Sequence, residues 1–117
     1  MSTTQFRDTS RTIMGRMNDL GKAIPGVMQG FQALHEAASA NGVLSSKTKE
    51  LIALAIAVAA RCEGCVAFHA KEAVKQGATR AEVTETLGVA IQMGGGPSMM
   101  WATEALAAFD EFSAPQA

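Results

Sequence analysis

"ELIALAIAVAARCEGCVAFH", residues 50–69, decides the fold. Ten apolar residues, Leu51 to Ala60, run unbroken between Glu50 and Arg61. A helix that is apolar all the way round is expected to be buried on every side. Five alanines in the run, Ala53, Ala55, Ala57, Ala59 and Ala60, would let neighbouring helices approach closely. Two cysteines three apart, Cys62 and Cys65, follow at once, with His69 four residues further on. The question is whether a buried helix ends near some thiols by accident or carries a redox site on the core.

Working outward, strand signals are nearly absent, and apolar residues recur at helical spacing. The reading is all-α, with about six helices. The first spans about Asp8 to Leu20, with Ile13, Met14, Met17 and Leu20 on one face and Gly21 at its end. Pro25 suits the first turn of the second helix, which carries Val27, Met28, Phe31, Leu34 and Ala38 and stops at Asn41-Gly42. Ser45 or Ser46 caps the third, which runs to about Ala60. The fourth starts near Cys62 or Glu63 and ends at Gly77. Thr79 and Glu82 have capping-box spacing for the fifth, which reaches about Met93. "GGGP" at 94–97 breaks the chain, Pro97 opens the sixth helix, which ends near Phe112, and the tail 113–117 is expected to fray.

A chain of 117 residues suggests one domain over 1–117. At 48% apolar it can build a core, and so much apolar surface in a short chain points to burial between subunits. The net charge is −1, with no basic block and few aromatics, which argues against nucleic acid. Residues 1–10 hold no apolar signal segment. The apolar run of ten residues falls short of the roughly 20 that a bilayer needs, so no membrane is expected. The expected location is the cytoplasm, where a Cys-x-x-Cys pair is more often catalytic or metal-binding than a structural disulfide.

Cys62, Cys65 and His69 at i, i+3 and i+7 share one helix face. In a first helical turn the partial positive charge of the helix end favours thiolate, and Arg61 adds to it. The spacing lets the sulfurs close a disulfide, and His69, one turn past Cys65, could take its proton. Two other readings stand beside this one: inert buried thiols, and a zinc site. Zinc wants four ligands, and only Cys62, Cys65, His69 and His35 are at hand.

Glu50, Cys62, Cys65 and His69, with intervals of 12, 3 and 4, resemble the pattern of the AhpD-like alkylhydroperoxidase branch of the carboxymuconolactone decarboxylase family. The resemblance covers about residues 45–110. It implies an all-helical fold and a peroxidase or thiol–disulfide oxidoreductase with no haem, flavin or other cofactor and no metal. One cysteine would reduce a hydroperoxide, the second would resolve the sulfenic acid, and Glu50 and His69 would relay the proton. The implied partners are a hydroperoxide, a thiol or dithiol electron donor that can be protein-borne, and further copies of the chain as a dimer, a trimer or a trimer of dimers. Some relatives carry a histidine between the cysteines where this sequence has Gly64. Branches that decarboxylate a lactone typically lack the cysteine pair.

Within the pair, Cys65 is expected to be the peroxide-reactive thiol, being nearer His69, and Cys62 the more exposed one. The opposite assignment stays open, because the helix end favours a Cys62 thiolate too. On one unbroken helix Glu50 and His69 would stand about 28 Å apart. They can meet only if the chain reverses near residues 61–64. Even then an offset of about 6 Å, roughly one turn, calls for an uneven turn, a tilted crossing or a bridging water. His35 reads as a surface or interface residue. Met93, Met99, Met100 and Trp101 read as core or subunit interface ahead of a substrate pocket.

Overall fold

The structure is a computed structural model, and it describes residues 4–115. Six helices follow one another: α1 (Gln5–Ala23), α2 (Pro25–Ser39), α3 (Ser46–Ala60), α4 (Glu63–Lys75), α5 (Arg80–Gly94) and α6 (Gly96–Ser113). No strand occurs among the described residues. The tail expected to fray begins at Ser113, which closes α6, and its last two residues, 116–117, lie outside the described residues.

The caps explain most of the boundaries. Ser45 Oγ accepts the N–H of Thr48 at 3.1 Å and starts α3. Thr79 and Glu82 form a complete capping box at the start of α5. Helix α1 begins three residues earlier than its sequence pattern announces. No side chain of its own caps it. Instead the Glu111 carboxylate, from the end of α6, accepts the N–H groups of Phe6 at 3.0 Å and Arg7 at 2.6 Å. A carboxylate at a helix N-terminus satisfies orphan donors and meets the positive end of the helix dipole.

The core lies among α3, α4, α5 and α6. Its large members are Leu54, Val58, Val66, Val83, Leu87 and Phe109, joined by Phe6 from α1. Helices α4 and α6 bury alanines at three-residue spacing, Ala67, Ala70 and Ala73 on one and Ala102, Ala105 and Ala108 on the other. Such small residues permit close helix approach without a cavity. Between α5 and α6 only Gly95 intervenes, at φ 74°. A Cβ on Gly94 would run into the Ser98 side chain, which is buried at the start of α6. The glycine run thus serves a one-residue corner.

One expectation fails within the single chain. Helix α3 buries Leu54, Ala57 and Val58 but leaves Ile52, Ile56, Ala59 and Ala60 exposed, Ile56 at 62%. The four helices that contact it, α2, α4, α5 and α6, cover only part of its circumference. Helix α2 buries no residue at all, and its close helix neighbours are α1 and α3. No helix among the described residues is long and apolar enough to cross a membrane.

Candidate active site

The site is built where α3 gives way to α4. Arg61 closes α3 in the left-handed conformation at φ 59°, alone in this among the described non-glycine residues. Its neighbour Cys62 is extended, its N–H held by Ala57 O at 3.1 Å, and α4 starts one residue later. This abrupt, uneven reversal is what lays α4 back along α3.

Cys62 is the N-cap residue of α4, and its Sγ accepts the Cys65 N–H at 3.2 Å. The two cysteines form a disulfide across a Cα–Cα distance of 5.2 Å. Both are half-buried, so the expected greater exposure of Cys62 does not separate them. The pair therefore occupies the first turn of α4, where backbone N–H groups and the helix dipole favour a thiolate once the bond is reduced.

Glu50 and His69 meet directly. Glu50 Oε2 lies 2.7 Å from His69 Nδ1, with no water required between them. Glu50 is a buried carboxylate, 5% accessible. An ionised carboxylate only accepts hydrogen bonds, so this contact needs the proton on Nδ1. That leaves Nε2 of a neutral ring as a proton acceptor. The structure thus brings the four candidate residues together as two pairs, the disulfide in the first turn of α4 and the carboxylate–imidazole pair one turn further along.

Two aromatic neighbours escaped the sequence reading. The Phe68 ring centroid is 5.0 Å from that of His69 and 5.5 Å from that of His35, in tilted contacts. His35, on α2, is half-buried beside the site's rim. Phe68 adjoins His69 in sequence and could have been suspected. Nothing in the periodicity of α2 points from His35 to it.

Gly64, between the cysteines, lies under α1. A Cβ there would stand 2.7 Å from Ile13 Cδ1, so any larger residue requires the Ile13 side chain to move. The Ile13 side chain thus packs where a side chain at position 64 would begin. Met93, Met99 and Met100 are exposed, outside the core of the chain. Met100 and Trp101 line a groove of about 340 Å³ with Phe6, Val66, Glu104 and Glu63, the neighbour of Cys62. No cluster of three or more His, Cys, Asp or Glu side chains placed to hold a metal occurs among the described residues.

An uncharacterized protein of Cupriavidus necator is 42% identical over 112 residues, covering 96% of this chain and 99% of its own. Protein 4 of the cox locus of Paracoccus denitrificans, also uncharacterized, is 35% identical over 81% of this chain and 86% of its own. The crystal structure of apo-lpg0406, a carboxymuconolactone decarboxylase family protein from Legionella pneumophila, superposes with a TM-score of 0.92 at 50% identity, over 95% of this chain and 99% of that one. A Thermotoga maritima protein of the same family, described as a candidate for an antioxidative response, matches with a TM-score of 0.67 at 31% identity, over 72% of this chain and 87% of that one. The model of the carboxymuconolactone decarboxylase family matches residues 25–108, and the chain belongs to that family.

Proposed function

We propose that the chain is an AhpD-like thiol oxidoreductase that reduces organic hydroperoxides, or a partner's disulfide, through Cys62 and Cys65. The observation that carries the reading is the Cys62–Cys65 pair in the first turn of α4, one turn from a buried Glu50–His69 pair. A lactone decarboxylase has no use for a disulfide. The candidate antioxidative role of the Thermotoga relative supports the same reading.

In the reduced chain His69 Nε2 takes the Cys65 proton, directly or through one water, and Glu50 stabilises the imidazolium. The Cys65 thiolate attacks the outer peroxide oxygen. The O–O bond breaks, the alkoxide takes a proton to leave as an alcohol, and Cys65 becomes a sulfenic acid. The Cys62 thiolate then attacks the Cys65 sulfur, forming the disulfide and releasing the sulfenic oxygen as water. A thiol or dithiol donor, free or carried by a protein, attacks Cys62 and releases Cys65, which His69 reprotonates. A second donor thiol completes the reduction. The cytoplasm, which supplies such thiols, is the matching location.

The test is thiol titration with mass spectrometry, before and after one equivalent of an organic hydroperoxide. The expected result is loss of both thiols as an intramolecular disulfide, restored by a dithiol. Thiols that stay unreacted, or lactone decarboxylation that survives in the double variant Cys62→Ala/Cys65→Ala, would overturn the reading.

A further inference from the structure

We propose that the cleft between α1 and α4 binds an amphiphilic organic anion, an anionic head on a short apolar body. The chain is almost neutral overall, yet four of its ten Lys and Arg residues, Arg7, Arg11, Lys71 and Lys75, border this one cleft of about 450 Å³. That volume falls within the range of small-molecule sites. Met14, Val74 and Phe112 supply apolar lining between the charges.

The positive charge is only partly answered. Arg11 has Asp8 at 3.4 Å, an exposed pair worth little in water, and Lys75 has the half-buried Glu72 at a longer 3.6 Å. Lys71 has no ion pair among the described residues. Arg7 lies over the Phe112 ring, 5.6 Å from its centroid, and donates one bond to Ala114 O at 3.0 Å. A guanidinium has five N–H donors, so most of its capacity remains for a ligand. Glu111, at the end of α6, already has each oxygen on a backbone N–H of α1.

An inorganic ion would use the charges and leave the apolar lining wet. An alkane would use the lining and gain nothing from the charges. An amphiphilic anion satisfies both. At 3.6 residues per turn, Lys71, Val74 and Lys75 point to the side of α4 roughly opposite Cys65 and His69. The cleft is therefore separate from the thiol site, and the proposal does not rest on the redox reading.

The experiment is an NMR titration of the ¹⁵N-labelled chain with sodium octanoate and with octyl phosphate. Octanol, octyltrimethylammonium and inorganic phosphate serve as comparisons. The expected result is saturable shifts of α1 and α4 amides with one or both amphiphilic anions. The tighter of the two identifies the head as carboxylate or phosphate. Added salt should weaken binding. Lys71→Glu should weaken it by roughly tenfold or more, and Lys71→Ala by less, with far-UV circular dichroism unchanged because Lys71 is exposed. Octanol binding as tightly as octanoate, inorganic phosphate matching octyl phosphate, or undiminished affinity in Lys71→Glu would each overturn the proposal. So would the absence of saturable shifts with either anion.

Discussion

At the scale of single residues, the roles proposed for the two cysteines rest on which group each one meets. Cys65 is one turn from His69, whose Nδ1 is occupied by Glu50 at 2.7 Å. Cys62 has instead the N–H of Cys65 on its sulfur. In Cys62→Ala, a dimedone-trapped sulfenate is expected on Cys65 after peroxide. Trapping on Cys62 in Cys65→Ala, with none on Cys65 in the first variant, would reverse the assignment. Glu50→Gln keeps the shape but loses the charge that stabilises the imidazolium, and His69→Ala removes the base. Both should slow thiol oxidation by roughly 100- to 10,000-fold with the helical content intact, and stopped-flow rates check it. The residues of this site were legible in sequence because their types and intervals restrict the chemistry. Their contact was not. Two helices with ideal geometry leave Glu50 and His69 about one turn out of register. The correction comes from the left-handed Arg61, which no propensity assigns to an arginine. The aromatic bridge to His35 was likewise invisible, since it joins helices that share no sequence signal.

At the scale of elements, four of the six helix starts among the described residues have a side-chain acceptor, Glu111 for α1, Ser45 for α3, Cys62 for α4 and Thr79 for α5. The starts supplied locally were the readable ones. Thr79 and Glu82 announced α5, and Ser45 announced α3. The start of α1 was misplaced because its cap, Glu111, comes from more than 100 residues away. Glu111→Ala should therefore destabilise the chain by about 1–2 kcal/mol, the range of a lost helix cap, and chemical denaturation measures it. Hydrogen exchange should rise first at the amides of Phe6 and Arg7. The capping box gives a pH prediction. The N–H of Thr79, and then Lys47, hold the Glu82 carboxyl below its ordinary value of 4.5. A carboxyl lowered in the folded state binds fewer protons than in the unfolded one. Its stabilising effect is present above the unfolded value and is lost as the pH falls through the folded one. Stability of the wild type should thus decline below about pH 4.5, and Glu82→Gln should flatten that decline. Denaturation midpoints that fall equally steeply in both would assign the acid sensitivity to other carboxylates.

At the scale of the whole molecule, large apolar side chains stand exposed on α2, on α3 and beside the α5–α6 corner. Helix α2 exposes Val27, Phe31 and Leu34 and buries nothing. Helix α3, the most apolar run of the sequence, still shows Ile52 and Ile56 to solvent. Met93, Met99 and Met100 add to this beside the α5–α6 corner. Monomers rarely display apolar patches beyond a few hundred Å². The radius of gyration, 14.4 Å, also exceeds the roughly 13.4 Å of a compact domain of this length, as befits a helix held at the edge. The reading of α3 as fully buried fails for one chain, and a second copy would restore it, which is why we propose a homo-oligomer with α2 and the open face of α3 at its contacts. Closed symmetry makes the same patch serve both sides. His35 reaches the rim of the site from α2, so assembly through α2 would also order the wall beside Phe68 and His69. Light scattering at micromolar protein should give a multiple of 12.2 kDa. Phe31→Glu and Ile56→Glu, each exposed in the single chain, should lower that mass and slow thiol oxidation without loss of helix. A single species at the mass of one chain in the wild type, fully helical and stable, would refute the assembly and leave those side chains as tolerated surface.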